Sequence, residues 1–178
     1  MKLKFSLKRL STLIMLSTIC IVARIYFQWI PNVQPVTAIF LLISLYLGLA
    51  PSLLVANITV LVTSFYLGIG HWTIGQMLSF SLVIFLYSLL CKIPFAKKLG
   101  FQILLLFLSG MFYGLIFSIF EVYLFQMAHF WPYYLAGVSF DFMHALGNVG
   151  FFLLLRKPFE VFNKKFFQSS KIEYEPNQ

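Results

Sequence analysis

Six apolar runs, separated by short polar stretches, follow one another along the chain. They cover approximately residues 7–28, 36–50, 52–68, 74–91, 101–126 and 133–155. About 20 apolar residues in a helix cross the hydrocarbon core of a bilayer, so each run is a candidate membrane-spanning helix. The second run is short, and it must tilt little, be extended by its flanking loop, or lie partly within protein. The pattern predicts an all-α integral membrane protein, a bundle of six transmembrane helices that forms a single membrane domain over residues 1–178.

Three proline residues stand close to where apolar runs begin. Pro35, Pro51 and Pro132 each come directly before a run, and the start of a helix is the position that proline tolerates best. After the last run, the segment 168–178 is polar and is expected to be a frayed tail. No internal repeat is evident in the sequence, which argues against a transporter built from inverted repeats.

The composition also indicates a membrane protein. Of the 178 residues, 61% are hydrophobic and only 10% are charged, whereas about a quarter of the residues in a soluble domain are charged. The net charge of +8 raises the question of a nucleic-acid partner. We expect no nucleic acid, because the positive residues flank the apolar runs and form no stripe with interleaved aromatic residues. Contact with anionic membrane lipid explains these charges better.

The distribution of positive residues predicts the topology. Twelve of the thirteen Lys and Arg residues lie before the first run, between the fourth and fifth runs, or after the last run. Six crossings place these three stretches on one side of the membrane, which is the cytoplasmic side by the positive-inside rule. We therefore expect cytoplasmic N- and C-termini and a multi-pass location in a bacterial plasma membrane. The twelve residues are Lys2, Lys4, Lys8, Arg9, Lys92, Lys97, Lys98, Arg156, Lys157, Lys164, Lys165 and Lys171.

The loops predicted to face outside, residues 29–35, 69–73 and 127–132, contain no charged residue. They hold all three tryptophans of the chain, Trp29, Trp72 and Trp131. An interfacial aromatic belt explains these tryptophans without any ligand, but their restriction to one side favours a ligand-facing role for at least one of them. The same loops supply polar candidates for ligand contact, namely Asn32, Gln34 and His71.

Polar residues inside the last run predict a network at membrane depth. Asp141 lies near mid-membrane, and His144 and Asn148 follow on the same helical face at i+3 and i+7. Three interpretations remain open: a structural network in which Asp141 accepts a hydrogen bond from His144, a ligand-contacting network, and a metal or catalytic site. The last one lacks a third metal ligand and a nucleophile motif. We therefore expect no catalytic residue, no metal, no cofactor and no enzymatic activity.

Other polar residues in the runs need partners too. Glu121 and Arg24 are both placed toward the outer side, where they can pair with each other, although Arg24 can also extend to the outer surface. Gln76 follows the second outer loop and is placed to line an outward cavity. Asn57 lies toward the inner half of its run and is expected to hold two helices together.

Three blocks of sequence carry a family resemblance. Residues 31–37 (PNVQPVT), 68–76 (GIGHWTIGQ) and 141–148 (DFMHALGN) are similar, in order and spacing, to blocks after the first helix, between the third and fourth helices, and in the sixth helix of one family. The chain resembles the substrate-binding (S) components of energy-coupling factor (ECF) vitamin transporters. The likeness covers all six predicted helices and is closest to S components for cobalamin and its precursors.

The resemblance implies a function and a set of partners. An S component binds a vitamin in a cavity open to the outside and docks on a transmembrane coupling protein that carries two cytoplasmic ATPases. This chain has no Walker motif of its own. It also departs from the family's small-xxx-small docking pattern on the first helix, since Ser17 is followed four residues later by Ile21. The expected substrate-binding residues are Asn32, Gln34, His71, Trp72, Gln76, Glu121, Trp131, Asp141 and His144.

Other functions fit the same sequence pattern. Cobalamin or a corrinoid precursor is the first expectation for the ligand, with riboflavin, pantothenate and folate as alternatives. A non-transport scaffold similar to the rod-shape morphogenesis membrane subunit shares the helical layout and predicts no outward cavity. A small intramembrane enzyme that uses Asp141 and His144 is the third alternative, in which replacement of Asp141 by Asn abolishes turnover and spares binding.

Overall fold

The computed structural model describes residues 7–165, and all regular secondary structure in that range is helical. The predicted tail 168–178 and the basic residues Lys2, Lys4 and Lys171 lie outside the described residues. Two short 3₁₀ turns, Phe27–Trp29 and Pro94–Lys97, lie in loops. The six α-helices are α1 Leu7–Tyr26, α2 Val36–Leu47, α3 Leu49–Leu67, α4 His71–Leu90, α5 Leu99–Leu124 and α6 Phe130–Asn163.

Each of the six apolar runs forms a helix, and proline has the role that was predicted at three helix starts. Pro35 precedes the first residue of α2, while Pro51 and Pro132 lie in the first turns of α3 and α6, where their missing N–H groups leave no helical hydrogen bond broken. The last helix, α6, continues past the predicted end at residue 155 to Asn163, with Pro158 inside it.

Five of the helices are long and apolar enough to cross a membrane, and α2 is the exception. With 12 residues, α2 is roughly 18 Å long, compared with a hydrocarbon core of about 30 Å. All nine residues from Val36 to Ser44 are buried, because α2 packs against α3, α4 and α6. Of the three alternatives for the short second run, the structure therefore shows the last, a helix enclosed by protein.

The outer surface of the bundle is apolar. Large hydrophobic side chains are exposed along α1, α3, α4, α5 and α6, and the helices that carry them have mean hydropathies of 1.5 to 2.3 over their most apolar windows. An exposed apolar surface of this extent is unfavourable in water and favourable against lipid. The fold is thus compatible with the predicted membrane location.

Close packing of α5 against α6 determines where the polar face of α6 points. A Cβ atom added at Gly110 would lie 2.5 Å from the Cα of Ala145, so the two backbones approach each other directly. One turn further along α5, a Cβ at Gly114 would collide with the carboxylate of Asp141. The small residues of α5 therefore allow Asp141 and His144 to lie inside the bundle, where both are buried.

A neutral polar contact links α3 to α4. The side-chain amide of Asn57 donates hydrogen bonds to the carbonyl of Leu53 and to Oγ of Ser81, the latter at 3.2 Å. Because Ser81 belongs to α4, this contact confirms the prediction that Asn57 holds two helices together.

Candidate functional site

The loop between α1 and α2 forms part of the wall of a polar cavity inside the bundle. Its volume is about 90 Å³, and side chains from α1, this loop, α2, α4, α5 and α6 form its wall. The wall is mostly polar, in contrast to the lipid-facing surface, and its polar members include Arg24, Asn32, Gln34, Thr37, Gln76 and His144. A polar space with this many donors and acceptors is suited to water or to the polar end of a small molecule.

A larger cavity adjoins the first. It has a volume of about 370 Å³ and shares Asn32, Gln76 and Tyr113 with the smaller one. From there it extends between α5 and α6 toward Ser118 and Asp141. Its wall also contains the aromatic side chains of Phe117, Tyr133 and Phe140. Together the two cavities form a site with a polar end and a mixed aromatic and polar end.

Arg24 is a buried cation in the wall of the smaller cavity. Only 8% of its surface is exposed. Its Nη2 donates a hydrogen bond of 2.5 Å to Oε1 of Gln76, and its Nη1 has no hydrogen-bond partner. The predicted pair between Arg24 and Glu121 does not form, because Glu121 pairs with His71 instead. Extension of Arg24 to the surface is also wrong, since α1 directs the guanidinium into the bundle.

His144 contacts the loop side of the site through Thr37. Its Nε2 shares a hydrogen bond of 2.8 Å with Oγ1 of Thr37, and its ring lies edge-on to the ring of Tyr113 at 4.9 Å between centroids. Of the three interpretations left open, the one in which Asp141 accepts a hydrogen bond from His144 is not the arrangement found, because His144 bonds to Thr37 and so ties α6 to α2. Oδ2 of Asp141 is buried without a hydrogen-bond partner, so this carboxylate has capacity to accept from another group.

The polar face of α6 continues past His144. Asn148 is fully buried, and neither its Oδ1 nor its Nδ2 has a hydrogen-bond partner. A buried amide without partners is unfavourable by about 1–3 kcal/mol. The residue does not line either cavity described above, and the structure gives no reason for its position.

A second cluster lies where α4 begins and α5 ends. Nε2 of His71 is 3.1 Å from Oε2 of Glu121, which is buried while His71 is partly exposed. The rings of Trp72 and Phe125 contact the His71 ring edge-on. Nε1 of Trp72 donates to the carbonyl of Gly68 at 3.2 Å. This cluster closes the end of the bundle, and its side chains are not part of the walls of the two cavities.

The predicted site residues thus fall into three groups. Five of them, Asn32, Gln34, Gln76, Asp141 and His144, line the two adjoining cavities. His71, Trp72 and Glu121 form the separate cluster at the end of the bundle. Trp131 is 66% exposed and packs against Phe130 and Tyr134 on the outside of α6, as expected for an interfacial aromatic residue.

Three polar residues in the wall of the smaller cavity were missed by the sequence prediction or given another role. Arg24 was expected at an ion pair or at the surface. Thr37 lies within the block 31–37 but was not singled out. Tyr113 is one of nine tyrosines, and nothing in its sequence context separates it from those at the surface.

Comparison with protein-family models, with curated proteins and with solved structures finds no match for this chain.

Proposed function

We propose that this chain is the substrate-binding subunit of an ECF-type importer, which takes up a vitamin-sized molecule and passes it to a transmembrane coupling protein driven by two ATPases. The observation that supports this proposal most is the pair of adjoining cavities inside an otherwise apolar bundle. Five residues expected from the sequence to bind substrate contribute to the walls. A scaffold without a ligand has no need for such buried polar space, which is unfavourable unless it is filled.

The position of the cavities fits uptake from outside. Their walls come from the end of α1, the loop after it, the start of α2, the first halves of α4 and α6, and the second half of α5. The basic residues Lys92 and Lys98 lie in the loop at the other ends of α4 and α5. By the positive-inside rule the basic end faces the cytoplasm of a bacterial cell, and the cavities then lie in the outer half of the bundle.

The volume of the site favours a ligand smaller than a corrinoid. Pockets for small molecules have volumes of about 300–1,000 Å³, and the larger cavity, at about 370 Å³, lies near the lower end of that range. A corrinoid is far larger than a typical drug-sized ligand, so it requires the bundle to open. We therefore propose one of the smaller alternatives, such as pantothenate or riboflavin, in place of cobalamin.

Uptake measurements test the proposed function. The full chain is produced with an ECF coupling protein and its two ATPases in a bacterial host that lacks vitamin importers, and labelled pantothenate, riboflavin, folate and cobalamin are supplied. We expect uptake of one vitamin that depends on ATP hydrolysis and is lost when Gln76, shared by both cavities, is changed to Leu. Trp131→Leu, on the outside of α6, is the matched control. No uptake of any vitamin, together with no copurifying ATPase, contradicts the proposal.

A further inference from the structure

The positive charge of Arg24 has no negative partner in the described part of the chain. Arg24 lies in the wall of the smaller cavity, and its guanidinium donates a hydrogen bond to Gln76. None of the other residues that line this cavity is an aspartate or a glutamate. Glu121 is paired with His71 and lines neither cavity.

A buried arginine without a counter-charge is unfavourable, and arginine does not lose its proton in proteins. Removal of such a group from water costs several kcal/mol unless an anion compensates it. Within a membrane bundle, charged residues of this kind are usually functional. Asp141 does not supply the compensation by contact, because it forms no ion pair with Arg24 and its Oδ2 has no hydrogen-bond partner.

We infer that the ligand carries a single carboxylate, which binds in the smaller cavity against the guanidinium of Arg24. This inference rests on the proposed function. Gln76 accepts a hydrogen bond from Nη2 and orients the planar guanidinium in the cavity wall, and the buried Nη1 has no hydrogen-bond partner within the protein. Carboxylates and phosphates are the anions with which a guanidinium forms its strongest hydrogen bonds. One arginine in about 90 Å³ balances one negative charge, which argues against a phosphate dianion.

The larger cavity then holds the rest of the molecule. Oδ2 of Asp141 is a buried acceptor without a donor, so it favours a ligand with a hydroxyl, amide or amine hydrogen at that end. The aromatic side chains of Tyr113 and Phe117 supply an apolar wall between the two ends. The ligand class is therefore a small monocarboxylate with hydrogen-bond donors at the end distant from the carboxylate.

A retention experiment with matched pairs of compounds tests this inference. The purified full chain in lipid nanodiscs is incubated with an equimolar mixture of pantothenate and panthenol, nicotinate and nicotinamide, biotin and biotin methyl ester, riboflavin and cobalamin. Retained compounds are identified by mass spectrometry after washing. We expect a carboxylate to be retained and its neutral counterpart to be absent. Retention of a neutral compound overturns the carboxylate inference alone, whereas retention of nothing removes the proposed function and the inference with it.

Variants of Arg24 separate ligand binding from a structural role. We expect Arg24→Met to lower the affinity for the retained carboxylate on the order of ten- to a hundredfold, the effect of losing a charged hydrogen bond. The same variant is expected to unfold at no lower temperature than the wild type, because it removes an uncompensated buried charge. Arg24→Lys keeps the charge and is expected to restore part of the affinity, and Lys157→Met, a surface cation on α6, is the matched control with unchanged affinity.

Two results contradict the assignment to Arg24. The first is an unchanged affinity of Arg24→Met for the carboxylate. The second is obtained with the wild type alone and does not depend on the folding of any variant: the neutral counterpart displaces the retained carboxylate at equal concentration. Either result means that the charge of Arg24 is not compensated by the ligand.

Discussion

The close approach of α5 and α6 predicts that three glycine-to-alanine changes will have different effects on stability. At Gly110 the added Cβ would lie 2.5 Å from the Cα and 2.6 Å from the backbone nitrogen of Ala145. Backbone atoms cannot rotate away, so the two helices must separate. At Gly150 in α6 the added Cβ meets nothing within 4 Å. Gly150→Ala is therefore a matched control, because it makes the same chemical change without forcing α6 away from its neighbours.

The magnitude follows from two opposing effects. Alanine stabilises a helix relative to glycine by about 0.8–1.0 kcal/mol. This is the largest gain in stability that we expect from helix propensity at Gly110 and at Gly150. Overpacking of a well-packed interface is destabilising by typically 1–3 kcal/mol, and this loss applies only at Gly110. We therefore expect Gly110→Ala to lower the free energy of unfolding by roughly 1–2 kcal/mol, and Gly150→Ala to leave it unchanged or raise it slightly.

Gly114→Ala is expected to lie between these two in stability. The atoms that its Cβ would meet belong to the carboxylate of Asp141, which is the end of a side chain that can rotate. Rotation relieves the collision but moves the acceptor in the larger cavity. Gly114→Ala should therefore lose more affinity for the retained ligand than Gly110→Ala, although it loses less stability.

The thiol of Cys20 provides the assay for this series. It is fully buried, so it reacts with a maleimide dye only when the bundle unfolds, and Cys91→Ser removes the second, partly exposed thiol. Thermal unfolding of the purified chain in detergent is followed by dye fluorescence. The reasoning is wrong if Gly110→Ala unfolds at the same temperature as Gly150→Ala, because the interface would then accommodate a methyl group.

Two further predictions concern the ends of the bundle. His71→Leu leaves the buried carboxylate of Glu121 without its hydrogen-bond donor and should lower the unfolding free energy by about 1–3 kcal/mol. The double change His71→Leu with Glu121→Gln should recover part of this loss in the Cys20 assay, and additive effects of the two changes contradict the pairing. In a cysteine-free background, a membrane-impermeant maleimide should label Met127→Cys on intact cells and Lys98→Cys only after lysis, and labelling of both on intact cells contradicts the predicted topology.

The helical layout followed from the sequence because it depends on local signals. Apolar runs bounded by proline and by polar loops predicted six helices, and six helices form. The status of α2 was less certain, since a 12-residue helix can cross a thin region or lie inside protein. Only the packing of α3, α4 and α6 around it decides this, and packing between distant segments leaves no local signal.

The site was predictable in part, for the same reason. The helical spacing of Asp141 and His144 placed both on one face, and the order of the loops brought Asn32, Gln34 and Gln76 to the same end of the bundle. Which polar group pairs with which was not predictable. His144 pairs with Thr37 and not with Asp141, and Glu121 pairs with His71 and not with Arg24, because rotations of each helix about its axis decide such contacts.

The pairing of Glu121 with His71 determines which charges remain in the walls of the two cavities. A contact between Arg24 and Glu121, one of the alternatives that the sequence left open, would have neutralised both charges inside the protein. Instead, the pairing of Glu121 with His71 at the end of the bundle leaves the guanidinium of Arg24 uncompensated within the cavity wall. The unpaired carboxylate of Asp141 lies in the wall of the adjoining cavity. A neutral ligand with a carbonyl and a distal donor pairs with both groups by hydrogen bonds but leaves the charge of Arg24 uncompensated, whereas the proposed monocarboxylate also compensates that charge.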